Sequence, residues 1–155
     1  MSAAEVIKLL KKEHFTIATA ESLTAGLLAN KIAEIPGVSK ILRGGVIAYQ
    51  DEIKIAELGV SEETIDKYGA VSEQTALEMA QGVARRLNSD VAISTTGVAG
   101  PKTSENKPVG TVFIAVWIQG KSFWEKFHLT GNREQIRQAT CGLALEFARD
   151  KLLEV

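Results

Sequence analysis

Ser22 stands in the stretch TIATAESLTAG, Thr16 to Gly26, where a short apolar run breaks into a polar turn. Thr16, Ile17, Ala18 and Thr19 suit a buried strand, and Leu27, Leu28, Ile32 and Ile35 then recur at helical spacing. Glu21, Ser22 and Thr24 therefore fall where a strand hands over to a helix. In α/β proteins ligands bind beyond the carboxyl ends of the strands. A helix start also presents unpaired N–H groups that favour negative charge. Two readings of Ser22 follow. It is a nucleophile with the amides near Thr24 and Ala25 as oxyanion donors, or it is an ordinary helix cap.

A serine nucleophile needs a base. No histidine lies in or near this turn, which argues against a Ser-His-Asp arrangement. Lys54 is a candidate, because a lysine removed from water loses basicity and can accept a proton. Tyr49, five residues earlier, could relay a proton or orient the lysine. The plainer reading makes Lys54 a solvated helix lysine and Tyr49 a cover for a strand end. In TTGVAGP, Gly97 and Gly100 let the backbone approach a ligand closely. The motif fits neither GxxxxGK[ST] nor GxGxxG, and a tight turn is the simpler account. Arg133 and Arg137 stand one helical turn apart. They either hold a phosphate or carboxylate or form a solvated face.

The elements that must position these residues can be read in order. Ser2 with Glu5 is a capping-box pattern, and Val6, Ile7, Leu9 and Leu10 give a helix ending near Glu13. After the Ser22 turn, a helix runs to about Ile35 and stops at Pro36-Gly37. Arg43-Gly44-Gly45 reads as loop, and Val46, Ile47 and Ala48 as a short strand. Asp51 is the expected cap of a short helix that Gly59 ends, and Ser61 opens another. Ser72 caps a helix with Ala76, Met79, Ala80, Val83 and Leu87 on one face. Val91 to Thr96 is a buried-type strand, Lys102 to Pro108 a polar loop, and Thr111–Ile118 with Ser122–Leu129 a hairpin. Asn132 with Gln135 caps a long last helix bearing Ile136, Thr140, Leu143 and Phe147. Helices alternating with strands predict a single α/β domain spanning residues 1–155, a three-layer α/β/α sandwich. Its sheet is mixed, mostly parallel, of about five strands, with one C-terminal hairpin. Right-handed crossovers would bring ESLTAG, AYQDEIK and TTGVAGP to one edge of the sheet.

Composition narrows the function classes. With 155 residues, 45% hydrophobic and 24% charged, the chain suits one globular domain. A net charge of −1 argues against direct nucleic-acid binding through bulk positive charge. No apolar run approaches the roughly 20 residues that span a bilayer, and the first residues lack a signal-peptide layout. The single cysteine, Cys141, cannot form an internal disulfide, which points to a reducing cytoplasm. It is expected as a small core residue, and Trp117 and Trp124 as core or dimer-contact residues. One cysteine with separated His14 and His128 makes no recognisable metal-ligand spacing.

AESLTAG, GGVIAYQDEIK, YGAVSE, STTGVAGP, KPVGTVFIA and GNREQIR occur in that order. The combination resembles the CinA C-terminal domain family, whose stand-alone members include nicotinamide mononucleotide deamidases, and the likeness covers nearly the whole chain. The resemblance implies hydrolysis of the carboxamide of nicotinamide mononucleotide to nicotinate mononucleotide and ammonia. It implies Ser22 as nucleophile, Tyr49 and Lys54 as its catalytic partners, and oxyanion donors near Thr24 and Ala25. It also implies substrate contacts from Gly26, Gly45, Thr96, Gly97, Gly100, Arg133 and Arg137. It further implies a homodimer or higher homo-oligomer without metal or cofactor, whose partner is a small nucleotide rather than nucleic acid or membrane. Two departures stand out. The usual ESCTGG reads ESLTAG here, so Ala25 adds a methyl group where glycine is usual. The usual glycine-rich continuation after TGVAGP is replaced by Lys102, Thr103, Ser104 and Glu105, a bulkier and more charged loop. These departures motivate an alternative: an altered or inactive paralogue that binds a nucleotide-like ligand.

Overall fold

Strand alternation explains why helices cover both faces of the sheet. The computed structural model describes residues 2–155. In chain order these form α1 (Ser2–Glu13), β1 (Ile17–Glu21), α2 (Leu27–Ala33), β2 (Leu42–Ile47), α3 (Asp51–Leu58), α4 (Glu62–Tyr68), α5 (Glu73–Leu87), β3 (Val91–Gly97), β4 (Thr111–Ile118), β5 (Lys121–His128) and α6 (Arg133–Leu153). Ile17, Val91 and Ile93 pack with the apolar faces of α1, α2 and α6. Their neighbours Ala18, Ala20 and Ala92 point the other way, towards Ala76, Met79, Ala80 and Val83 of α5. Period-two alternation thus builds two cores, and the result is a three-layer α/β/α fold.

The five strands lie in the order β2-β1-β3-β4-β5. β1 pairs parallel with both β2 and β3, and the β4–β5 hairpin adds antiparallel to β3. The carboxyl ends of β1, β2 and β3 therefore share one edge, which carries all three singled-out turns. Among the described residues no helix is long and apolar enough to cross a membrane.

Several element ends differ from the expectation. β2 begins at Leu42, so Arg43-Gly44-Gly45 is strand rather than loop. Gly45 lies opposite Thr19, and a Cβ there would collide with the Thr19 hydroxyl. The glycine that read as a loop signal instead permits a close strand approach. Ser2 lies inside α1 as its first helical residue and is not its cap. Asp51 opens α3 as its first helical residue, and Gln50 occupies the cap position. α2 ends at Ala33, before Ile35. Ser72 does cap α5, accepting from the Thr75 N–H at 3.2 Å, and Asn132 and Gln135 form a complete capping box on α6. Cys141 is fully buried in the α1–α2–α6 core, where burial pushes its thiol up to about 12. Trp117 is half-buried against the α5 core, whereas Trp124 is 41% exposed.

Candidate active site

Glu21, the last residue of β1, organises the turn that follows it. Its side chain is 1% exposed and accepts from the backbone N–H groups of Gly26 (3.2 Å), Leu28 (2.8 Å) and Ala29 (3.0 Å). The hydroxyls of Thr24 (2.7 Å) and Thr19 (3.1 Å) also donate to it. A buried carboxylate is tolerated only when so surrounded by donors. The donors at the start of α2, expected to attract a ligand's negative charge, are thus consumed by the protein itself. Glu21 was visible in the sequence at this junction, but nothing there assigned it this role.

The turn takes an unusual backbone path. The Ala25 N–H donates to the Ser22 carbonyl at 3.1 Å and the Leu27 N–H to the Thr24 carbonyl at 2.9 Å. Ala25 adopts φ 46° and Gly26 φ 96°, so the residue that replaces a glycine keeps the left-handed backbone glycine would favour. Gly26, not Ser22, holds the cap position of α2, which removes the cap reading of Ser22. The oxyanion expectation also shifts: the Ala25 and Gly26 amides already have acceptors, and that of Leu23, a residue lining the adjacent cavity, is left for a ligand. The Leu23 side chain joins the core. Thr24 is fully buried, its hydroxyl also sharing a 2.7 Å hydrogen bond with that of Thr95.

Lys54 approaches from α3. It is 1% exposed, and its Nζ lies 3.1 Å from Ser22 Oγ and 3.0 Å from the Tyr49 carbonyl oxygen. Burial lowers the pKa of the amine, and the charges of Asp51 and Glu105 only partly oppose it. As an ammonium the group donates to the serine; once neutral it offers a lone pair to the serine proton while still donating to the Tyr49 carbonyl.

Tyr49 contributes differently from the expectation. Its backbone carbonyl, not its phenol, holds Lys54. The phenol is on a residue 49% exposed and accepts from Arg133 Nη2 at 2.5 Å. The strand end faces it outwards, so it sits at the rim of the site instead of on the Ser22–Lys54 pair. Arg133 Nη1 donates in turn to the Gly100 carbonyl at 2.7 Å. One cavity of about 240 Å³ is lined by Ser22, Tyr49, Lys54, Thr96, Gly97, Gly100 and Arg133 together. The Thr96 hydroxyl is turned to the Ala70 carbonyl, 2.8 Å away.

Other expected site residues lie elsewhere. Arg137 donates to the Leu23 carbonyl (2.9 Å) and the Thr24 carbonyl (3.2 Å) and pairs with Glu134. It braces the Ser22 turn from behind, although it is one helical turn from Arg133. Thr24, Ala25, Gly26 and Gly45 shape the backbone and do not line the cavity. Asp51, expected as a cap, lines it, as do Lys102, Ser104 and Glu105 of the polar loop. That loop's composition was the only sign of them in the sequence.

Comparison with known proteins agrees with this architecture. The CinA C-terminal domain profile matches residues 1–152. A CinA-like protein of Kosmotoga olearia is 47% identical over 149 residues, covering 96% of this chain and 36% of its own length. A putative competence-damage inducible protein of Clostridium botulinum strain Langeland is 48% identical over 153 residues, covering 97% of this chain and 37% of its own length. The chain thus spans little more than a third of the curated relatives it matches. Among solved structures, a CinA superfamily protein from Klebsiella pneumoniae 700603 superposes with a TM-score of 0.96 at 30% identity, covering 99% of this chain and 97% of its own. The competence/damage inducible protein CihA from Agrobacterium tumefaciens gives a TM-score of 0.90 at 38% identity, covering 94% and 90%. With its whole described fold and nearly its whole length matched, the chain belongs to the CinA C-terminal domain family.

Proposed function

We propose that this domain is a serine amidohydrolase that deamidates nicotinamide mononucleotide. The observation that carries the reading is the 3.1 Å approach of a buried lysine amine to the Ser22 hydroxyl in the lining of a cavity. A lysine is expensive to bury, and its lowered pKa is what a general base at neutral pH requires.

In the proposed reaction, Ser22 Oγ attacks the carboxamide carbon while Lys54 takes the hydroxyl proton. The Leu23 N–H, on a residue that lines the cavity, is the candidate to receive the developing oxyanion. Lys54 then returns the proton to the amide nitrogen, the C–N bond breaks and ammonia leaves. Water attacks the resulting acyl-serine with Lys54 again as base, releasing the carboxylate product and restoring Ser22. The Tyr49 carbonyl keeps the amine aimed at the serine in both steps. At the rim, Arg133 and Lys102 supply positive charge for the phosphate.

Purified wild type, Ser22→Ala and Lys54→Met should be compared for ammonia release from nicotinamide mononucleotide. Each substitution should reduce turnover on the order of a thousandfold or more, because nucleophile and base act as one unit. A folded wild-type protein that releases no ammonia would sink the deamidase assignment.

A further inference from the structure

The loop from residue 101 to 108 is fastened to a distant part of the chain by contacts the hydrolysis does not use. The Glu105 carboxylate accepts from the Ala70 N–H (2.9 Å) and the Val71 N–H (3.0 Å) at the junction of α4 and α5. Lys107 Nζ crosses the same spot, donating to the carbonyls of Tyr68 (3.1 Å) and Val71 (2.5 Å) and to Glu105 (3.1 Å). Beneath them lies Gly69, with φ 84°, where a Cβ would collide with Glu105 Oε1. The junction therefore offers a bare backbone seat to two side chains of the loop.

The loop tip accepts a conformational cost to reach that seat. Glu105 (φ 56°) and Asn106 (φ 60°) are both left-handed, and backbone hydrogen bonds between Ser104 and Lys107 close the turn. Asparagine suits such a position; glutamate does not. Lys102, Ser104 and Glu105 also line the cavity that holds Ser22 and Lys54. A cavity of about 240 Å³ is below the roughly 300–1,000 Å³ usual for small-molecule sites. The fastened loop forms one of its walls.

We propose that Glu105 determines which carboxamide nucleotides the pocket admits, by clamping the 101–108 loop as a fixed wall that accepts a mononucleotide and excludes a dinucleotide. The nature of the ligand rests on the deamidase reading; the clamp does not. Two experiments separate them.

Trypsin reads the clamp without any ligand. The loop holds one cleavable bond, after Lys102, because Lys107 precedes Pro108. Native wild type should resist cleavage there. Glu105→Ala and, independently, Lys107→Met should each speed it about tenfold, with circular dichroism showing a retained fold. Unchanged cleavage in both folded variants overturns the clamp. Calorimetry with nicotinamide mononucleotide and with nicotinamide adenine dinucleotide then reads selectivity. Wild type should prefer the mononucleotide, and Glu105→Ala should narrow that preference about tenfold. An unchanged ratio in a loop-released variant overturns the selecting role. A wild type that binds neither nucleotide removes the deamidase reading and the selectivity with it, while the cleavage result stands for the clamp.

Discussion

Glu21 and Glu105 are both carboxylates seated on backbone amides, yet they hold opposite kinds of structure. Glu21 is 1% exposed, takes its amides from Gly26, Leu28 and Ala29, and ties a turn to the helix that follows it. The Glu105 side chain is 27% exposed, takes its amides from Ala70 and Val71, and shares its seat with Lys107. The first set of bonds is local in sequence and shielded from water, so the Ser22 turn is held as soon as β1 and α2 exist. The second ties a surface loop to amides 34 and 35 residues away, so it forms only once the tertiary structure brings the two segments together. The difference separates a turn fixed by its own near neighbours from a cavity wall fixed by a distant segment.

The comparison breaks most visibly at Glu21. Glu21→Ala leaves buried N–H groups and hydroxyls without an acceptor, each costing about 1–3 kcal/mol. A total loss of about 3 kcal/mol or more is expected in urea unfolding, with collapse of any ammonia-releasing activity. A loss no larger than that of Glu105→Ala would erase the contrast between the two seats.

Acidity sharpens it further. Burial pushes the Glu105 carboxyl up, but the Val71 N–H, Lys107 and the Ala70 N–H outweigh it and hold the group below its ordinary value. Its contribution is therefore present above the unfolded-state value of about 4.3 and is lost as pH falls through the lower folded value. At Lys54 it is the charged form that the fold disfavours. Its folded pKa lies below the unfolded value of about 10.4, so between the two values the unfolded chain binds more protons and stability rises with pH. Lys54→Met should flatten that rise and be neutral or stabilising at neutral pH while abolishing activity. Melting curves across pH for the two proteins test this; parallel curves would show that burial of the amine carries no cost. The kcat/KM profile of wild type should rise with pH through the same lowered lysine value.

The smallest effect is expected at Ala25. Glycine there relieves the left-handed strain but gains freedom in the unfolded chain. Ala25→Gly should therefore stabilise by only about 0.5 kcal/mol. A clear destabilisation would mean that the methyl group packs usefully and that the departure from glycine is not a burden.

Much of the site was legible because strand-to-helix junctions leave local marks. Ser22 and Lys54 could be singled out from a polar turn after an apolar run and a lysine beyond a second strand. Their meeting was not legible in the same way, since it depends on β2 lying parallel beside β1. The sequence draws attention to the Tyr49 phenol, but its carbonyl holds the lysine. Any residue at that position would bring a carbonyl, so side-chain identity carries no signal for it. Arg133 and Arg137 read as a pair in the sequence because one helical turn separates them. In the fold, one reaches Tyr49 and Gly100 and the other the carbonyls of Leu23 and Thr24. Gly45 looked like loop chemistry and proved to be strand packing.

By itself the amino-acid order determined the alternating elements, the two apolar faces of the strands and the reactive residue types at their ends. Those depend on periodicity and on bonds between near neighbours. Only the tertiary structure decided that the Lys54 amine is stripped of water, that Glu21 and Glu105 sit on backbone amides, and that one arginine faces the cavity while the other braces it. Each is a matter of which atoms share a small volume away from solvent, and backbone amides look the same in every residue that could have supplied them.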